Sequence, residues 1–250
     1  MNSSPLIGQD AHQRFSSIVD RYFDESSQIS PVGATSMGDH RFDTEINDVS
    51  AAGRYRTAAF YREILAELDA FQKSDLSRDE QIDRALLEHR LKASLWKQDE
   101  LEEWAWNPLV YSGVAGGSIY SLMAREFAPL PERLKSATAR LEKLPHFYSQ
   151  TRKELQPHRV PKIHAETAIN QNRGVLSIIK NTIEPQLDQL NRTERLRLVK
   201  AIETAKEAVE EHQLWLEDEL LPKAKGEYRI GKELFDQKLA WTLQSLSLIH

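Results

Sequence analysis

The chain has 250 residues, 40% of them hydrophobic and 28% charged, with a net charge of −5 and no cysteine. That length can bury one large core or two small ones, and the composition is that of a folded, helix-rich protein rather than a disordered one. Interspersed charges of both signs argue against a nucleic-acid surface, and a cysteine-free chain has no disulfide, thiolate metal site, iron–sulfur cluster or cysteine nucleophile.

Residues 1–9 contain no basic region followed by an apolar stretch, so they do not read as a signal peptide. No apolar run approaches the roughly 20 residues needed to span a bilayer. The chain as written therefore reads as cytoplasmic and without a membrane partner; an upstream segment would make it secreted or periplasmic.

Apolar residues recur at helical spacing almost throughout. Phe15, Ile18, Val19, Tyr22 and Phe23 predict a first helix over about Asp10 to Gln28. Pro31, Gly33 and Gly38 then predict a long connection. Ser50 is placed to cap a second helix carrying Ile64, Leu65, Leu68 and Phe71 on one face. Ser77 and Glu80 fit the reciprocal box that opens a third, with Ile82, Leu86, His89, Ala93 and Trp96 in phase.

Asn107-Pro108 predicts a break, which Gly113, Gly116 and Gly117 prolong before a short helix from about Ser118 to Phe127. Pro131 suits the first turn of the next helix, and Pro145 should kink or interrupt it. A helix through Ala168, Val175 and Ile179 should end near Pro185, and another should run from about Thr193 to Pro222. Gly231 to Leu248 predicts a last helix. The expectation is an all-α array of about eight helices in one domain over residues 1–250, with a weak joint near 157–161.

Chemistry-bearing patterns are few. No histidine has a second one four residues on, so the paired imidazoles of a zinc helix are missing, and no metal site is predicted. His158, His164 and Glu166 are the nearest cluster, but prolines at 157 and 161 work against a common helical face. His89 lies on an apolar stripe and reads as a core histidine. His212 stands among Glu210, Glu211 and Glu217 and reads as part of a solvated acidic face. Ser94 with Lys97, and Ser177 with Lys180, match S-x-x-K without its supporting segments.

Two stretches are candidate rims of a substrate cleft. Asp39, His40, Arg41 and Asp43 crowd four ionisable groups behind Gly38; the same residues could equally be a self-capped turn. Asn107 and Tyr111, beside Trp104 and Trp106, could hydrogen-bond a peptide, or could simply wedge between helices. No catalytic residue is assigned.

The run from Pro31 through Ala34, Thr35, Gly38 and Asp39 to Asp43, then Asp48 to Ser50, Asn107-Pro108 to Tyr111, Arg140-Leu141 with Leu144-Pro145, and Gly231 to Phe235 follow one another in an order that resembles a known family. The run resembles the front half of the bacterial family catalogued as domain of unknown function 885, and the likeness extends from about Phe15 to Leu243. The resemblance implies a helical zincin-type zinc metallopeptidase that holds a peptide substrate between two helical halves. Its His-Glu-x-x-His helix has no counterpart in this chain, so no zinc ligand or general base is carried over.

The apolar ending, with Leu234, Phe235, Leu239, Trp241, Leu243, Leu246, Leu248 and Ile249, is expected to expose a large apolar surface and suggests truncation. The leading expectation is thus the N-terminal half of a zinc-dependent peptidase, inactive alone, whose partner is its missing C-terminal half or a second copy. The alternative is a stand-alone helical protein-interaction module.

Overall fold

Helical periodicity governs almost all of the architecture. The computed structural model describes residues 4–243, and among the described residues there are ten α-helices and no strand. In order they are α1 (Ser4–Ile29), α2 (Pro31–Met37), α3 (Ala51–Asp69), α4 (Arg78–Trp96) and α5 (Glu103–Trp106). They continue as α6 (Pro108–Met123), α7 (Leu130–Glu154), α8 (Lys162–Ile178), α9 (Arg192–Trp215) and α10 (Lys232–Leu243). The all-α expectation is met. Helices α4, α8 and α9 each run on into a wider π turn, at Lys97–Leu101, Ile179–Ile183 and Leu216–Leu220.

Two compact units divide the chain. The first takes α1 as far as Ser26, residues Arg54–Glu102, and the chain from Arg229 onward. Its core is the apolar stripes of α1, α3 and α4: Phe15, Ile18, Tyr22, Ile64, Leu68, Leu87 and Leu91 are all buried, and Phe71 meets Phe15 edge-on at 6.0 Å. Each such side chain contributes about 1.5–3 kcal/mol by leaving water. Arg21 on α1 reaches Glu63 and Glu67 on α3 at 3.1 and 2.6 Å. The predicted box is present: Ser77 Oγ accepts from the Glu80 amide, and Glu80 accepts from the Ser77 amide.

Helix α10 lies antiparallel to α4. Trp96 Nε1 donates to Gln237 Oε1 at 2.6 Å, and His89 Nε2 donates to the Trp241 carbonyl at 2.8 Å. His89 is therefore a satisfied structural histidine. Of the apolar terminal residues, Phe235 and Leu243 are exposed, whereas Leu234, Leu239 and Trp241 are half-buried. Leu246, Leu248 and Ile249 lie outside the described residues.

The second unit comprises Ser27–Gly53 and Glu103–Tyr228, and residues 157–161 fall inside it. Its core joins α6, α7, α8 and α9 through Ile119, Leu122, Leu134, Leu141, Leu144, Val175, Ile179, Leu198, Val209 and Leu216. Two local expectations fail here, at Pro31 and Pro108, and at Pro145 the helix is not interrupted. Pro31 opens a real helix, α2, which ends at Gly38 in the left-handed conformation (φ +95°) that glycine adopts without strain. Pro108 does not prolong a break but starts α6, which runs unbroken through its glycines. A Cβ at Gly117 would stand 3.5 Å from Val32 Cγ1, so glycine there admits α2 at close range.

Pro145 sits inside a continuous α7, although proline removes one ladder bond and costs ~3 kcal/mol in a helix interior. Burial of Leu134, Ala137, Leu141, Leu144, Phe147 and Tyr148 on the same helix outweighs that cost. Ser50 caps α3 as expected, its Oγ accepting from the Gly53 amide at 3.1 Å. Gly226 pairs with Val160 (N–H to carbonyl, 2.9 Å) so closely that a Cβ would come within 1.9 Å of the Arg159 carbonyl oxygen.

Candidate functional site

The loop after α2 is organised around a buried cation. Arg140 projects from the middle of α7, is wholly inaccessible, and is flanked by buried Ala137, Leu141 and Leu144. Its Nε donates to the Glu45 carbonyl at 2.8 Å, Nη1 to the Ser118 carbonyl at 2.9 Å, and Nη2 to Thr35 Oγ1 at 2.6 Å and the Pro31 carbonyl at 3.2 Å. A guanidinium alone among side chains offers donors over so wide a fork. One side chain thereby ties α2, the loop after it and α6 to α7. Burial pushes Arg140 down to about 10, opposed by the charges of Asp43 and Glu45, so it stays a cation at neutral pH.

Asp43, 7% exposed, supplies the nearest countercharge at 4.0 Å. The Thr35 hydroxyl bridges the pair. It has one proton and two acceptors in reach, Asp43 Oδ1 at 2.6 Å and the Pro31 carbonyl at 3.1 Å; the shorter, charged acceptor takes it. The other carboxylate oxygen receives His40 Nδ1 at 3.0 Å, and the His40 ring stacks on Phe127 at 3.5 Å. Asp39 accepts from Arg41 at 2.9 and 2.7 Å. Hydrogen bonds from Arg41 and then Ser27 hold the Asp39 carboxyl well below the usual carboxylate range.

Asn107 and Tyr111 belong to the start of α6. Asn107 is its N-cap: Oδ1 accepts from the Leu109 amide at 3.2 Å and Nδ2 donates to Glu103 at 2.8 Å. The buried Tyr111 hydroxyl donates to the Trp104 carbonyl at 2.7 Å. His40, by contrast, rests on Phe127, beyond the other end of α6. Along α6, Ser118, where Arg140 ties the loop to the helix, lies seven residues from Tyr111 and eleven from Asn107, about 10 and 16 Å. The structure thus gathers Asp39, His40, Arg41 and Asp43 in one loop and does not bring Asn107 and Tyr111 to them.

Among the described residues the histidines do not assemble a metal site. His158 is exposed and Glu166 pairs with Lys162, whereas His164 stacks on Trp106 and is lowered by burial, with Glu103 opposing. Among the described residues no group of three or more histidine and carboxylate side chains is placed to hold a metal ion, so the residues present do not fit a zinc site. No helix among them is long and apolar enough to cross a membrane.

One sequence reading is corrected. His212 is not on a solvated face but 4% exposed, between Tyr148 and Trp215. Its signal was present: Ala205, Ala208, Val209 and Leu216 fall three to seven residues away on the same buried stripe. In the sequence Arg140 is visible only as part of a motif; nothing in its immediate neighbours announces the acceptors that gather round it.

No curated protein matches the chain. A solved structure described as "a putative lipoprotein of unknown function from Shewanella oneidensis" superposes with a TM-score of 0.86 at 31% identity, covering 93% of this chain and 43% of that one. The chain therefore spans less than half the length of that relative. The model of a family described as "Bacterial protein of unknown function (DUF885)" matches residues 31–248. The chain belongs to the DUF885 family.

Proposed function

We propose that this chain is the scaffold portion of a zinc-dependent peptide hydrolase and is inactive by itself. The observation that carries the reading is the coverage: 93% of this chain matches only 43% of a much longer relative. The reading is also supported by the motif order that resembles a zincin-type family, and by the way the loop residues Thr35, His40 and Asp43 and the cap Asn107 are tied into internal bonds. Such a portion would brace one side of a peptide cleft, while zinc ligands and general base belong to the remaining polypeptide, its partner. The description of the relative as a lipoprotein supports an envelope location for the whole assembly.

The test uses the full Shewanella relative, the part of it that this chain matches, and this chain. Each is purified and assayed on a diverse peptide pool with and without a zinc chelator. The reading expects chelator-sensitive cleavage from the full relative alone. A full relative that cleaves nothing, or turnover by this chain in isolation, would overturn it.

A further inference from the structure

Helices α7 and α9 pack through apolar side chains, and a buried polar cluster lies among them. Tyr148 on α7 and His212 on α9 are 2% and 4% exposed, and their rings stack at 4.4 Å with 28° between planes. Arg152 follows Tyr148 by one helical turn on the same face. Its Nη2 reaches Glu211 Oε1 on α9 at 3.1 Å, and its charge also acts on His212. In this neighbourhood three buried polar atoms, Tyr148 Oη, Arg152 Nη1 and His212 Nδ1, have no hydrogen-bond partner among the protein's own atoms. Buried polar groups in folded proteins are nearly always paired, and where side chains fail an ordered water does it.

We propose that Tyr148, Arg152 and His212 form an internal binding site for one water molecule, which accepts from Arg152 Nη1–H and the Tyr148 hydroxyl and donates to His212 Nδ1. The donor and acceptor count selects water over an ion. Arg152 can only donate, and burial raises the Tyr148 phenol above its usual range, which keeps its proton in place. Burial, and then the charge of Arg152, lower His212 to about 3, so the imidazole is neutral and one ring nitrogen must accept. A cation is repelled by Arg152, and an anion would find that guanidinium already balanced by Glu211 and the imidazole uncharged. Two donors and one acceptor are a set that a water can bridge, with three hydrogen bonds. The bridge also fixes His212 as the Nε2–H tautomer and joins α7 to α9 by a polar link.

Nitrogen NMR of the whole chain labelled at histidine tests this, with His212 identified by the signal lost in His212→Gln. The expected result is an unprotonated Nδ1 and protonated Nε2 at neutral pH, with cross-relaxation between the ring and a long-lived water. Tyr148→Phe, checked for native helix content, should abolish that water signal. The wild-type spectrum decides alone if the variant does not fold. A protonated Nδ1, a ring without water contact, or a coupling showing a direct Tyr148–His212 hydrogen bond would each overturn the proposal.

Discussion

Replacing Arg140 by lysine keeps the charge and most of the length, yet it should be severely destabilising. Four acceptors stand within 3.2 Å of the guanidinium, and they are served by three different nitrogens. A lysine ammonium has one nitrogen and three protons, so it cannot reach the Glu45 carbonyl on one side of the fork and Thr35 and Ser118 on the other. With two acceptors orphaned at about 1–3 kcal/mol each, the loss comes to roughly 4 kcal/mol. Native-state hydrogen exchange is the assay, read on the amides of α2 and the second half of α6. They should exchange about 1,000-fold faster at the corresponding opening free energy, since each 1.4 kcal/mol is roughly tenfold. A change below about 1 kcal/mol would refute the idea that this fork organises the loop, because a single surface arginine is worth no more than that.

Two further outcomes follow from the same geometry. Asn107→Ala removes both the cap on the Leu109 amide and the bond to Glu103, and should lower stability by about 1–2 kcal/mol in urea denaturation, while Asn107→Asp recovers the capping part; an unchanged midpoint for alanine would count against the capping role. His212, lowered by burial and by Arg152 to about 3, binds a proton in the unfolded chain near its ordinary 6.5 but not in the folded one. Its contribution is therefore complete above pH 6.5 and is lost progressively as pH falls toward 3, amounting to about 2 kcal/mol by pH 5. The stability difference between wild type and His212→Gln should narrow by that amount between pH 7 and 5, and a pH-independent difference would show that the imidazole is not held neutral.

Much of the fold is legible in local sequence because helices advertise themselves locally. The three-and-four spacing of Phe15, Ile18 and Tyr22, the Ser77–Glu80 box and the Ser50 cap involve residues within one or two turns of each other, so the chain carries both the signal and its partner. The loop from Asp39 to Asp43 was likewise visible as a cluster of ionisable groups, and its internal pairs, Asp39 with Arg41 and His40 with Asp43, span only two and three residues.

What lay beyond the sequence depends on partners far along the chain. Gly117 and Pro145 weaken a helix in isolation, and only Val32 packed against α6, and the apolar face of α7 buried in the core, show why both helices continue. Asn107 and Tyr111 hydrogen-bond to Leu109, Glu103 and Trp104 rather than to the Asp39–Asp43 loop, which meets α6 farther along, at Ser118, through Arg140. Arg140 gathers acceptors from Pro31, Glu45 and Ser118, segments 109, 95 and 22 residues away. Its neighbours on α7 establish that the position is buried; that a charge can be kept there is decided by backbone carbonyls, which every residue carries and no side-chain pattern records.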